Sequence, residues 1–518
     1  MTISCWGEHE FPVDVLAEGG SQCIVRLCIL QYAINMRTSG ILLLACLVIS
    51  SSARAQHAIA WRPTTGEASV SPEDRQRASN LARQSIEQLE LNDITSAEAK
   101  LREALAILPG KAVWHFNLAC ILTGRRQLGP AIDELQRATD LGFTDFTALQ
   151  GDSALSALHD LPRFQKLIAR KDEIRHNAGQ RALAELREQF GAKYLYEVDE
   201  EQKLIFAIGS DQATLDAVKA ALNIQARTQA ADLFSHKPDE FIRVVVPTLA
   251  DYRKLMPQRG IPGIYEDESR TLLAEQLGQV MTHEFTHALH AADQRMLGQE
   301  HPIWLREGLA SMYEAGEVEE GRLIPRDNFR LAYVQQAARR NALLPLEKMV
   351  KLSGHDFANG PNLSYGQTSS LLLYLYDKKL LRKFYEVYKA SYQTDRTGAI
   401  ALEETTGMKL PELQKTWTAW MLERKPPQMK GTIGGPYLGI HFGQTIDGLR
   451  VMMVIPASAA AKAGIKNGDV LVGLDDHEVR DYASFSPLLS SHKPGDEVKL
   501  KLRRDGKYFD VPVVLGQR

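Results

Sequence analysis

One pattern constrains this chain more than any other. Residues 280–290 read Val-Met-Thr-His-Glu-Phe-Thr-His-Ala-Leu-His, with His283 and His287 four apart and Glu284 between them. A helix over about 277–292 places the two imidazoles one turn apart on one face. Neutral ring nitrogens at that spacing can hold one zinc ion. Glu284 lies about 100° round the helix, too far to join the coordination but near enough to take a proton from a water on the ion. The chain carries 14 histidines, enough for such a pattern to arise by chance on an exposed helix face, so a third ligand is required.

The chain offers one in Glu307, within Trp304-Leu-Arg-Glu-Gly-Leu-Ala310. A turn through Gly298 folds a second helix against the first, and Glu307 then points at the two histidines and leaves a fourth position open. Gly308 and Ala310 are small enough for close helix approach, and Trp304 supplies an apolar wall. His290 is read as exposed.

His283-Glu-Phe-Thr-His287 together with Trp304-Leu-Arg-Glu-Gly-Leu-Ala310 resembles the gluzincin metallopeptidases, in particular the peptidase-MA-like group. The resemblance extends over 177–425 and includes the helix Leu410-Pro-Glu-Leu-Gln-Lys-Thr-Trp417. It implies a zinc metallopeptidase, with Zn2+ on His283, His287 and Glu307 and with Glu284 as the base. Related aminopeptidases also use a tyrosine on a later helix to stabilise the oxyanion. Tyr365, at the expected exposed start of a helix, is the candidate, with packing at a helix terminus as the equal alternative. The G-x-M-E-N stretch that anchors a free amine in aminopeptidase N-like enzymes is not found, and Glu266-Asp267-Glu268 matches it weakly. Cleavage within a chain is therefore favoured over an aminopeptidase. Arg270–Ala274 is expected to be the edge strand that holds an extended substrate.

Composition sets the surroundings of this domain. The chain has 518 residues, 44% hydrophobic and 24% charged, with a net charge of −3, which suits several globular domains and no nucleic-acid partner. From Met36 the sequence shows Arg37, a short apolar core over Ile41–Ile49 and the A-x-A site Ala53-Arg54-Ala55, together a secretory signal peptide over 36–55. Residues 1–35, acidic and awkward upstream of it, are read as a mis-called extension. Leu43-Leu-Ala-Cys46 offers a lipobox as the minor alternative. The mature chain then retains Cys120 alone, so it has no internal disulfide. It has no membrane span, and it is secreted across the inner membrane to the periplasm.

After a linker over 56–75, Ala97-x-x-x-Leu101-x-x-Ala104 recurs as Ala131-x-x-x-Leu135-x-x-Ala138, an offset of 34. Residues 76–172 thus resemble tetratricopeptide repeats, which offer a surface to a protein partner. From 177 to 425 strands expected at 193–198, 204–208 and 241–246 give way to helices, an α+β domain. A linker over 426–436 leads to short strands over 437–518. There Tyr437-Leu-Gly-Ile440, Ala463-Gly-Ile-x-x-Gly468-Asp-Val-Leu471 and Pro494-Gly-Asp496 resemble a PDZ domain of bacterial proteases. That resemblance implies that Tyr437, Leu438, Gly439 and Ile440 receive a peptide C-terminus, with Leu438 and Ile440 lining the pocket for its last side chain.

The expected architecture is multidomain: all-α repeats, an α+β gluzincin-like domain, and a mainly β PDZ domain. Two functions stay open. One is a secreted zinc peptidase whose PDZ domain recognises protein C-termini. The other is an envelope scaffold or adaptor with an inactive or auxiliary peptidase-like domain.

Overall fold

The computed structural model describes residues 59, 61, 70–257, 262–275, 277–358, 361–426, 435–445, 448–479, 482–504 and 506–517. The expected extension (1–35) and signal peptide (36–55), and most of the 426–436 linker, lie outside the described residues. The chain divides into two compact units, the first formed mainly by 65–143 and 148–168 and the second mainly by 169–518.

The first unit is built of helical hairpins: α1 (Pro72–Glu90) with α2 (Ile94–Ile107), then α3 (Ala112–Gly124) with α4 (Leu128–Asp140). Ser71 caps α1 by accepting from Asp74 N–H, so the helix starts inside the stretch read as linker. Ala97, Leu101 and Ala104 and their counterparts Ala131, Leu135 and Ala138 are all buried. These small residues let paired helices approach closely, and Cys120 is buried among them. The helices α5 (Phe146–Gly151) and α6 (Pro162–Ala169) follow.

In the second unit, α7 (Lys171–Phe190) precedes a five-stranded sheet of β1 (Leu195–Asp199), β2 (Leu204–Ile208), β3 (Ile242–Val246), β4 (Gly263–Glu266) and β5 (Thr271–Ala274). The order is β1-β2-β3-β5-β4, with β2-β3-β5 parallel and both outer pairs antiparallel. The edge strands are therefore β1 and β4, whereas Thr271–Ala274, expected at the edge, lies inside the sheet. Its four residues are all buried, as a strand covered on both faces requires. Alternation sorts the sheet's side chains. Phe206, Ile208, Val244 and Leu272 join the main core, while Ile205, Ala207, Val245 and Leu273 face Leu183, Leu186 and Tyr194. Ile59 packs in this second layer, and its N–H donates to Glu266 Oε1 at 3.1 Å.

The helices α8 (Gln212–Asp232) and α9 (Leu249–Leu255) flank the sheet. Then come α10 (Gln279–Leu297), α11 (Ile303–Glu314) and a hairpin, β6 (Glu317–Glu319) with β7 (Arg322–Ile324), in a stretch expected to be wholly helical. The helical half continues with α12 (Leu331–Arg339), α13 (Leu346–Met349), α14 (Gly354–Ala358), α15 (Pro361–Asp377), α16 (Leu381–Ser391), α17 (Ala399–Thr406) and α18 (Leu410–Glu423). Trp304, Leu309, Leu372, Phe384 and Trp417 are fully buried and bind α11 to α15, α16 and α18 in one core.

The C-terminal region holds β8 (Pro436–Tyr437), β9 (Ile440–Gln444), β10 (Leu449–Val454), α19 (Ala459–Lys462), β11 (Val470–Leu474), β12 (His477–Glu478), α20 (Tyr482–Ser490), β13 (Glu497–Arg504), β14 (Lys507–Val514) and β15 (Gly516–Gln517). Its sheet runs β14-β13-β11-β10-β9, which leaves β9 at an edge. Among the described residues no helix is long and apolar enough to cross a membrane.

Candidate metal centre

Two helices build the site. α10 enters from Gly278 and ends at Gly298, whose φ of 62° supplies the left-handed cap. Gly298 N–H and Gln299 N–H donate to the carbonyls of Arg295 and Gln294, and His301 N–H donates to Gln294 Oε1 at 2.7 Å. α11 then runs back along α10. Thr286, just before His287, accepts from Gln225 and Gln229 of α8 at 3.0 and 2.8 Å, which fixes the rotation of this helix.

His283, His287 and Glu307 come together. His283 Nε2 and His287 Nε2 lie 3.2 Å apart, and Glu307 Oε2 lies 3.3 Å from the first and 3.4 Å from the second. Among the described residues they form the one group of three or more metal-type ligands close enough to share an ion. Four ligands at roughly 2.0–2.1 Å in a tetrahedron stand about 3.3 Å from one another. The observed triangle has the edge lengths of one face of such a tetrahedron.

The charges are arranged for a cation. Burial pushes His283 down, but hydrogen bonds to Glu307 and Glu314 and the charge of Glu284 outweigh it and hold the imidazole at about 10. Burial also pushes Glu307 up, and the two histidines beside it more than compensate, keeping it well below the usual carboxylate range. Without a metal, the carboxylates thus pull a proton onto the cluster; a divalent ion satisfies the same field.

Glu284 stands next to the triangle in sequence. Its Oε2 accepts from Tyr265 N–H of edge strand β4 at 2.8 Å. Gly263 makes that approach possible, since a Cβ there would lie 2.6 Å from Val280 Cγ1 and 3.3 Å from Glu284 Cγ.

Tyr365 does not sit at an exposed helix start. It lies in the second turn of α15, half-buried, with its ring 6.3 Å from that of His283. Burial, with the charges of Glu307 and Glu284, raises its pKa strongly, so it keeps its proton and is a hydroxyl donor. Gly308 also departs from expectation. It faces α15, not α10: a Cβ there would meet Leu372 Cδ1 at 2.8 Å and Thr368 Cβ at 3.1 Å.

His290, read as exposed, is buried. Its Nε2 shares a hydrogen bond with His301 Nδ1 at 2.7 Å, packed among Phe234, Tyr385 and Tyr388. The pair fastens the α10–α11 turn and does not join the ligands. A hydrophobic pattern count reads a histidine as polar and so misses this role.

Glu314 was also missed. Its Oε2 lies 3.1 Å from His283 Nδ1, and its Oε1 meets Arg330 and Asn328 Nδ2. Its position seven residues after Glu307, two helical turns on along α11, was the available clue. With Nε2 turned to the ligand triangle, His283 Nδ1–H donates to this carboxylate, which fixes the ring's tautomer and orientation.

In the C-terminal region Gly439 has a φ of 79°, and a Cβ on it would lie 2.1 Å from Ser458 Cβ. The Leu438 and Gly439 carbonyls accept from Ala460 and Ile455 N–H. Leu438 and Ile440 are buried in the domain core, while Tyr437 pairs with Gly516.

Comparison with known proteins identifies residues 436–515 as a PDZ domain. The serine protease Do-like HtrA of Lactobacillus helveticus is 42% identical over 69 residues, 13% of this chain and 17% of its own. The periplasmic pH-dependent serine endoprotease DegQ of Escherichia coli is 38% identical over 68 residues, 13% of this chain and 15% of its own. The periplasmic serine endoprotease DegP of the same organism is 39% identical over 70 residues, 14% and 15%. A solved HtrA-type protease, AlgWS227A with decapeptide, covers 17% of this chain and 31% of its own at 21% identity, with a TM-score of 0.16. The chain thus spans less than a fifth of the length of these curated relatives.

These findings correct one expectation. The proteins that this chain resembles are serine proteases, not zinc peptidases of the gluzincin type, and the classification of the chain as a gluzincin-type zinc metallopeptidase is withdrawn. What they show of this chain is a PDZ domain over 436–515. Their similarity rests on the PDZ domain, which contains none of the residues 277–314 that carried the gluzincin resemblance.

Proposed function

We propose that this is a PDZ-bearing, protease-like protein of the periplasm or a secreted one, whose central domain holds one zinc ion on His283, His287 and Glu307. The observation that carries this reading is the 3.2–3.4 Å triangle of two Nε2 atoms and one Oε2. Bound there, zinc supplies Lewis acidity that makes a water nucleophilic near neutral pH and polarises a carbonyl.

The chain's own residues complete a hydrolytic site. Glu314 orients His283 through Nδ1. Glu284 accepts a proton at its carboxylate and passes it to a leaving group. Tyr365, held protonated, donates its hydroxyl hydrogen to the developing oxyanion of an acyl substrate. The PDZ domain contributes the holding of polypeptide C-termini at the Tyr437–Ile440 turn, and the helical unit offers a further protein surface.

An adaptor whose zinc is structural is the second reading. It draws on the engagement of Glu284 with Tyr265 N–H, which occupies one carboxylate oxygen. Metal analysis with a panel of fluorogenic acyl substrates separates the two. One zinc per chain, lost in His287→Ala and kept in Glu284→Gln, with turnover present only in the native protein, is the expected result. Stoichiometric zinc with no turnover on any substrate favours the adaptor. No zinc at all refutes the centre.

A further inference from the structure

Within the second unit, one segment touches both the metal centre and the PDZ strand at the sheet edge. On the centre's side, Arg330 pairs with Glu314, the carboxylate that takes His283 Nδ1–H, and its guanidinium lies 5.4 Å from the centroid of the Tyr365 ring. Arg330 also stacks over the ring of its neighbour Phe329 at 4.5 Å. On the other side, Phe329 lies 6.2 Å, centroid to centroid, from His441 of β9. Four residues on from Phe329, Tyr333 of α12 donates its hydroxyl to Met453 Sδ of β10.

β9 is the strand to which a ligand can be added. Its side chains alternate: Ile440 is buried in the PDZ core and Phe442 packs 5.1 Å from Phe485 of α20, while His441 turns to Phe329. A second contact holds the same domain in place. Glu275, buried just before α10, pairs with Arg450 of β10 at 2.9 Å and with Arg503 of β13 at 3.8 Å. The PDZ domain is thus fixed against both ends of the metal-binding elements.

From these contacts we infer that Phe329 and Arg330 form a positioning pair that couples ligand binding on β9 to the affinity of the centre for zinc; the inference rests on the zinc reading above. A peptide that adds to β9 as a strand stiffens it and fixes His441 on Phe329. Phe329 holds Arg330 on Glu314, and Glu314 holds His283 in the orientation the ion needs. Peptide binding therefore tightens zinc, and by linkage zinc tightens the peptide by the same factor.

The test uses the full chain. Zinc affinity is measured by competition with a chelating dye, with and without a saturating decapeptide that has an apolar last residue and a free carboxylate. Peptide affinity is read separately by fluorescence anisotropy. The expected result is zinc binding about fivefold tighter with the free-acid peptide and unchanged with the amidated one. Phe329→Ala should abolish the coupling: its zinc affinity should be the same with and without the peptide, and its peptide affinity the same with and without zinc. If that variant fails to fold, Met453→Ala interrupts the parallel contact and should reduce the coupling. Zinc and peptide that both bind without affecting each other would overturn the inference and leave the centre standing. So would zinc binding with no peptide binding, whereas absence of zinc binding would overturn the centre and the coupling together.

Discussion

Replacing Glu314 by glutamine tests whether the centre is organised from behind. The substitution keeps the shape of a buried side chain and removes its charge. In the native protein one oxygen faces His283 Nδ1 at 3.1 Å, and the other faces Arg330 and Asn328. All three partners are donors, and a glutamine has one oxygen and one NH2. Whichever way the amide turns, a donor faces a donor. If the oxygen keeps His283, the NH2 confronts Arg330; if it keeps Arg330, the imidazole loses its anchor. One charge-assisted hydrogen bond is worth about 1.5–3 kcal/mol. Loss of a metal ligand's outer partner weakens metal binding about 10–100-fold, which is about 1.4–2.7 kcal/mol. The two figures agree, so a zinc dissociation constant raised about 10–100-fold is expected. The assay is chelator competition at neutral pH, with circular dichroism to show that the fold persists. An intact fold with a shift below about threefold would refute the claim that Glu314 positions His283.

Three further outcomes are expected. Gly308→Ala forces a methyl group to within 2.8 Å of Leu372 Cδ1 between α11 and α15 and should cost about 1–3 kcal/mol in a denaturant titration; an unchanged midpoint would show that the helix pair has slack. Gly439→Ala needs a Cβ 2.1 Å from Ser458 Cβ at a φ of 79°, and should abolish peptide binding in an anisotropy assay while leaving zinc affinity unchanged. Acidification should unfasten the His290–His301 pair. Burial first, then the charges of Arg306 and Lys389, push His301 down to about 3, below the ordinary unfolded value near 6.5. Its stabilisation is therefore complete above pH 6.5 and is lost as pH falls toward 3, by about 1.4 kcal/mol per unit. Stability measured from pH 7 to 5 should fall in the native protein and less steeply in His301→Gln, and a flat native profile would refute the assignment.

Much of the site was legible because helical periodicity is local. The four-residue spacing of His283 and His287 fixes their shared face, and Gly298 marks the turn that returns Glu307 to them. Strands β2 and β3 were legible for the same reason, as short apolar runs. What escaped reading depends on contacts distant in sequence. Nothing in Thr271–Ala274 tells that β4 lies outside it, because an antiparallel neighbour only eight residues upstream is too short to show alternation. The β6–β7 hairpin is equally short and mostly exposed. His290 and Glu314 are polar letters in helical runs, and only the folded neighbours reveal that one clasps a turn and the other orients a ring. The PDZ domain was legible from its glycines, whereas its hold on Glu275 was not.

The packing of α10 on α11 carries a consequence for the history of such a domain. The proposed ligands ride on two helices whose union is made by Phe285, Ala288, Trp304, Leu305 and Leu309, all buried, and by a turn closed with the His290–His301 pair. A metal ion there would be a passenger in a vehicle already assembled. Losing a ligand would leave a soluble, well-formed relic, free to persist on the strength of its peptide-holding partner domain alone. Descendants that had dropped the chemistry would keep the silhouette, and the first letters to drift would be His283, His287 and Glu307, with Glu314 released soon after.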